Sequence, residues 1–167
     1  ATAFLAKENG INSIGIIRGD KCLPLNHTLR FAIQQGMKID YLNRSDYRLK
    51  HTVESLNNFK KKFGDFYLIP EGGSNDLALI GAEEILDVDD NQNYICTSVG
   101  TGITISGIIN AKSEHQHVIG FSAIKGFNTL EKKIENWAKK DNWIILDDYC
   151  FGGYAKLNNK LVHFVNY

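Results

Sequence analysis

The chain has 167 residues, enough to bury a core in one domain or in two incomplete ones. Its 19 Lys and Arg balance 19 Asp and Glu, so no basic footprint for nucleic acid or an anionic membrane is present. No apolar run approaches the roughly 20 residues of a membrane span, and the opening residues do not read as a signal peptide. Three widely spaced cysteines, Cys22, Cys96 and Cys150, fit a reduced, cytoplasmic compartment better than a disulfide framework.

Residues 1–10 read as a helix that closes on Gly10. Residues 11–17 are apolar and β-rich, a strand ended by Arg18-Gly19-Asp20, which is taken as a strand-end loop rather than an adhesion tripeptide. Asn26 caps a helix running to Gly36, with Leu29, Phe31, Ala32 and Ile33 as its buried side. Residues 37–42 form the next strand. Ser45 is expected to cap a longer helix on which Leu49, Val53, Leu56 and Phe63 recur at helical spacing. Its Lys60-Lys61-Lys62 run suits a solvated last turn and the negative end of the helix dipole. Residues 65–69 read as a third strand.

Pro70-Glu71-Gly72-Gly73-Ser74-Asn75-Asp76 follows. A glycine pair at a strand end, a capping Ser or Asn, and a helix over 77–86 make either a cleft-lining loop or a hinge between lobes, and both roles can coexist. The chain is organised around residues 93–110. Tyr94-Ile95-Cys96-Thr97 reads as a buried parallel strand. Ser98-Val99-Gly100-Thr101-Gly102 is a glycine loop. Ile103, Ile105, Ile108 and Ile109 with small residues between them read as a buried helix.

Strand, glycine loop and helix together aim free N–H groups and the positive end of a helix dipole at one spot, where a phosphate usually sits. The hydroxyls of Ser98, Thr101 and Thr104 add donors. No Lys or Arg lies in the loop, which suits a cofactor monophosphate. Neither GxxxxGK[ST] nor GxGxxG is present. A tight turn that binds nothing remains open at this point.

Residues 118–122 read as a strand. Asn128 with Glu131 forms a capping box for a helix carrying Leu130, Ile134 and Trp137. Residues 143–146 are the next strand, followed by Asp147-Asp148-Tyr149 and the loop Phe151-Gly152-Gly153-Tyr154. Residues 157–167 carry a helical stripe of Leu161, Phe164 and Val165. His115 and His117 lack further ligands for zinc and read as a surface pair. Asp147 and Asp148 read as a solvated strand end, Cys150 has no nearby basic partner, and no GxSxG elbow occurs. Strand–helix alternation argues for a parallel α/β architecture with right-handed crossovers. Both ends read as cut, so the middle of a longer protein is expected.

Three segments, FYLIPEGGSND at 66–76, CTSVGTGITISG at 96–107 and DDYCFGGYAK at 147–156, resemble the 1-aminocyclopropane-1-carboxylate deaminase / D-cysteine desulfhydrase family. The likeness covers essentially the whole chain. It implies a pyridoxal 5'-phosphate enzyme of the tryptophan-synthase-β fold type, a deaminase or lyase of amino-acid metabolism. The architecture implied is α/β, with open, mostly parallel sheets and flanking helices in two partial lobes, 1–71 and 72–167. Gly100, Thr101, Gly102, Ile103 and Thr104 would hold the cofactor phosphate. Gly72, Gly73, Ser74 and Asn75 would border the cofactor, and Tyr154 the substrate mouth. The family's Schiff-base lysine and Ser-Asn-His loop would precede Ala1, and its tyrosine and acidic ring partner would follow Tyr167. Lys125 is a remote substitute for that lysine. A small amino-acid substrate, a cytoplasmic homodimer, and no metal, nucleic acid or membrane partner complete the expectation. A rival reading is a non-catalytic α/β module for a nucleotide or phosphometabolite.

Overall fold

A computed structural model describes residues 1–124, 128–152 and 156–166, with Asn128 described by its backbone alone. The chain divides into two compact units, Ala1–Tyr67 and Leu68–Tyr167.

The first unit contains α1 (Thr2–Glu8), β1 (Ile14–Arg18), α2 (His27–Gln34), β2 (Lys38–Leu42), α3 (Arg44–Arg48) and α4 (Val53–Phe63). β1 and β2 pair in parallel, from Ile14 opposite Lys38 to Arg18 opposite Leu42. Local chemistry sets most of its boundaries. The Asn26 side chain accepts from the Leu29 N–H at 2.9 Å and opens α2. Gly36, at φ 87°, closes it: its N–H donates to Ile33 C=O at 2.9 Å, and Met37 N–H donates to Ala32 C=O at 3.0 Å. The same pair of bonds ends α1 around Gly10.

Three expectations for this stretch are corrected. Phe31 and Ile33 are 45% and 44% exposed rather than buried. Ser45 caps nothing. Asn43 Oδ1 takes the Asp46 N–H at 2.9 Å and opens α3, while Thr52 Oγ1 takes the Ser55 N–H at 3.3 Å and opens α4. The Thr52 hydroxyl also donates to Leu49 C=O at 2.8 Å. These side-chain bonds offer the backbone an alternative to a continuous helix, and Leu49 and Val53 stay exposed. Residues 65–69 form no strand: Phe66, Tyr67, Leu68 and Ile69 are exposed, with no ladder beside them. The lysine run does occupy the last turn of α4, where Lys62 meets Asp40 at 2.7 Å and Lys60 meets Asp65 at 2.8 Å.

The second unit begins with a 3₁₀ turn at Glu71–Gly73, then α5 (Asp76–Glu83), β3 (Tyr94–Val99), α6 (Ile103–Ala111), β4 (His117–Ser122), α7 (Asn128–Trp137) and β5 (Trp143–Leu146). A second 3₁₀ turn, Asp148–Cys150, and α8 (Asn159–Val165) follow. The three strands are parallel in the order β3-β4-β5, with Tyr94 opposite His117 and Val118 opposite Trp143. The α/β class with parallel strands and flanking helices is thus the observed one.

The core of this unit joins Val99, Val118, Ile105, Ile108, Ile109, Leu130 and Ile134. Each fully buried isoleucine contributes about 2 kcal/mol of apolar burial. A smaller cluster joins Leu79, Ala82 and Ile103. α5 and α6 approach so closely that a methyl placed on Gly107 would stand 2.5 Å from the Ala82 carbonyl carbon. Asn110 ties the helices: its amide donates to Glu83 Oε1 at 2.8 Å and Trp137 C=O at 3.1 Å, and its oxygen accepts from Lys139 N–H at 2.8 Å.

Cys96 is exposed, against the expectation of a strand buried on both faces. β3 lies at a sheet edge; Ile95, Thr97 and Val99 turn inward, while Tyr94, Cys96 and Ser98 occupy the open face. Phe164 and Val165 of the terminal stripe are likewise exposed, at 66% and 70%. α8 is opened by Asn158, which accepts from Leu161 N–H at 2.9 Å. The capping box read at Asn128 lies outside the described side chains.

Candidate functional site

The turn from β3 into α6 gathers the predicted phosphate residues. Val99 is buried and anchors the end of β3, where its carbonyl accepts from Ala123 N–H at 3.0 Å. Gly100 and Thr101 are exposed. A side chain on Gly100 would meet only open space. Gly102 takes φ 98° and rests against α7, so that a methyl there would lie 3.0 Å from Ile134. Its left-handed backbone and the absence of room both require glycine. Ile103 is buried with Leu79 and Ala82, so it offers a ligand only its N–H. Thr104 is exposed again.

The ladder of α6 starts where Ser106 N–H donates to Gly102 C=O at 3.1 Å. The N–H groups of Ile103, Thr104 and Ile105 therefore precede it. Ser106, which is fully buried, adds a second bond: its hydroxyl donates to the same carbonyl at 2.9 Å. A trans peptide sets C=O and N–H in opposite directions. Two donors holding the Gly102 carbonyl along the helix thus fix the Ile103 N–H pointing out of its amino end. Ser106 was absent from the sequence-based candidates; its spacing of four from Gly102 is the signal that finds it.

The second glycine loop lies against the first. Gly72, at φ 67°, stands so near Thr101 that a methyl on it would overlap both the hydroxyl and the methyl of that side chain. Gly73, at φ 66°, has only Ala78 Cβ near, at 3.7 Å. Asn75 opens α5 by accepting from Ala78 N–H at 2.8 Å, and the Ser74 hydroxyl donates to Glu71 C=O at 3.2 Å. The loop does not follow a strand, contrary to expectation, because residues 65–69 join neither described sheet. Tyr154, Gly153 and Lys125 lie outside the described residues.

Elsewhere, Asp147 and Asp148 are exposed, and His117 stacks on Tyr94 with ring centroids 5.6 Å apart. Among the described residues, no group of three or more His, Cys, Asp and Glu converges as a metal site. Among those residues, too, no helix is long and apolar enough to cross a membrane. At the carboxyl end of α6, Lys112 is 2% exposed. Burial, and then the neighbouring Lys140, hold its ammonium below the usual lysine range.

Uncharged donors on an open turn, backed by a buried helix, suit an anion the size of a phosphate. The class so defined is an α/β protein whose candidate site lies at the carboxyl end of a parallel strand. No family model matches the chain. Two curated relatives do, each named "Putative 1-aminocyclopropane-1-carboxylate deaminase". The one from Thermotoga maritima is 28% identical over 178 residues, covering 93% of this chain and 56% of that protein. The one from Pyrococcus abyssi is 22% identical over 180 residues, covering 93% and 54%. Over 93% of its length the chain is thus similar to two proteins that bear a deaminase name. It spans about half the length of the curated relatives it matches.

Proposed function

We propose that this chain supplies the phosphate cradle of a pyridoxal 5'-phosphate-dependent deaminase or lyase acting on a small amino acid. 1-Aminocyclopropane-1-carboxylate and D-cysteine are the substrates to test first. The observation that carries the reading is the open turn over residues 100–104 in a chain whose relatives bear a deaminase name. The residues fit the group's phosphate: three N–H groups ahead of the ladder, two exposed threonine hydroxyls, and room at Gly100.

When bound, the cofactor would supply an electron sink for carbanionic charge on the substrate. The chain's own part is grip and orientation. Ile103 and Thr104 donate backbone N–H groups, Thr101 and Thr104 add hydroxyls, and Ser106 keeps the first donor outward. Gly72 to Asn75 border the same turn. The reading assigns no lysine of this chain to hold the coenzyme, so its test is binding rather than turnover. A cytoplasmic homodimer belongs to the same reading, and light scattering tests the dimer.

Thermal shift and fluorescence titration with pyridoxal phosphate, pyridoxal, inorganic phosphate and a nucleoside monophosphate test the cradle. Pyridoxal phosphate should protect the chain and pyridoxal should not. Protection by the nucleotide alone would replace the reading with the non-catalytic phosphometabolite module. Protection by none of them would end it.

A further inference from the structure

We infer that Gly72 is a positioning residue for Thr101, so that the two glycine loops work as one anion-binding unit. The inference rests on reading residues 100–104 as an anion site and adds a second segment to it. Two neighbouring glycines make the case. Gly72 and Gly73 share almost the same φ, 67° and 66°, in a region that costs any L side chain about 1 kcal/mol. Conformation therefore explains why each is glycine and does not distinguish them. Their surroundings do. A methyl on Gly73 meets Ala78 at an ordinary 3.7 Å. A methyl on Gly72 falls inside Thr101, 2.6 Å from its Cγ2 and 3.0 Å from its Cβ.

Thr101 is exposed on its solvent side, and among the described residues its hydroxyl makes no hydrogen bond. No hydrogen bond holds this rotamer; the bare face of Gly72 is what leaves room for it. Gly72 is itself fixed by the turn closed by Gly73 N–H on Pro70 C=O at 2.9 Å, and Asn75 N–H bonds Gly73 C=O at 2.7 Å. A side chain at Gly72 would evict the Thr101 hydroxyl from its place beside the α6 donors or push the 70–75 turn away from it. In either case the anion loses one donor of its cradle, worth about tenfold in affinity when the acceptor is charged.

The test compares Gly72→Ala with Gly73→Ala, which carries the same backbone strain without the overlap. Each is made with Thr101 intact and in a Thr101→Ala background, which removes the hydroxyl and the methyl and leaves only Cβ, at 3.0 Å. Inorganic phosphate and pyridoxal phosphate are titrated, and the Thr101 methyl is followed by NMR in the unliganded chain. With Thr101 intact, Gly72→Ala should weaken both ligands about tenfold more than Gly73→Ala. In the Thr101→Ala background the two should agree within about twofold. Only Gly72→Ala should move the Thr101 methyl resonance and its χ1 coupling. Equal losses for the two glycine variants with Thr101 intact would overturn the inference. Should the unaltered chain bind neither ligand, the anion reading fails by itself. The methyl resonance then decides the positioning role, and an unmoved signal in Gly72→Ala overturns it.

Discussion

The two units use the same local devices and reach different interiors. In 1–67, helices are opened by Asn26, Asn43 and Thr52 and closed by Gly10 and Gly36, yet Ala3 is the only buried apolar residue among those described. In 68–167, caps at Asn75 and Asn158 are no better, but ten buried apolar side chains gather around α6. Caps and glycine closures therefore decide where elements begin and end, whereas closed layers decide how much apolar surface leaves water. A two-stranded pair seals little; three strands under α6 and α7 seal a core.

Truncating the core should separate the units most. Ile134→Ala, at a fully buried site, should cost about 3 kcal/mol. Phe31→Ala, at a residue 45% exposed, should cost less than about 1 kcal/mol. Both tryptophans, Trp137 and Trp143, lie in the second unit. Urea unfolding followed by their fluorescence reads the first loss, and hydrogen exchange in α2 reads the second. Similar costs would erase the distinction.

A glycine pair sharpens the account within the second unit. Gly81, exposed in α5, has open space where an added methyl would stand, so Gly81→Ala should stabilise by about 0.8 kcal/mol through helix propensity. Gly107→Ala gains the same propensity but drives its methyl into the Ala82 backbone, and should lose about 2 kcal/mol net. Thermal melts of the two variants should move in opposite directions.

Caps should cost alike in both units. Asn26→Ala and Asn75→Ala each forfeit one bond to a helix N–H, about 1 kcal/mol apiece. Exchange rates in the first turns of α2 and α5 measure them. The smallest effect is expected at Lys112. Its ammonium is held below the usual range, so the unfolded chain binds that proton more readily than the folded one. The charged form costs stability at neutral pH. That cost lifts as pH climbs from the lowered value toward the ordinary 10.5. A urea midpoint that rises through this alkaline window in the parent and stays level in Lys112→Met is the expected outcome.

Much of this was legible in the residues. β5 matches its expected limits, β4 differs by one residue, and Asn26 caps where its side-chain chemistry places it. The glycine turn and the buried face of α6 also follow from residue type. What failed shares one cause. Phe31, Cys96 and residues 66–69 are apolar or β-prone, and such patterns mark what can be buried without supplying a neighbour to bury it. Ser45 lost to Asn43 and Thr52, whose oxygens take the Asp46 and Ser55 N–H groups and open two helices where one was expected. The touch of Gly72 on Thr101 spans two loops far apart in the chain, and no local pattern encodes it.

The position of β3 at the edge of the three-stranded sheet has a practical consequence. Among the described residues β3 pairs with β4 alone, and unclaimed N–H and C=O groups on such a strand can template a foreign one. β3 also delivers the chain into the glycine turn. Clumping of concentrated samples through this edge should therefore silence phosphate uptake in step with turbidity, before the hydrophobic interior itself gives way.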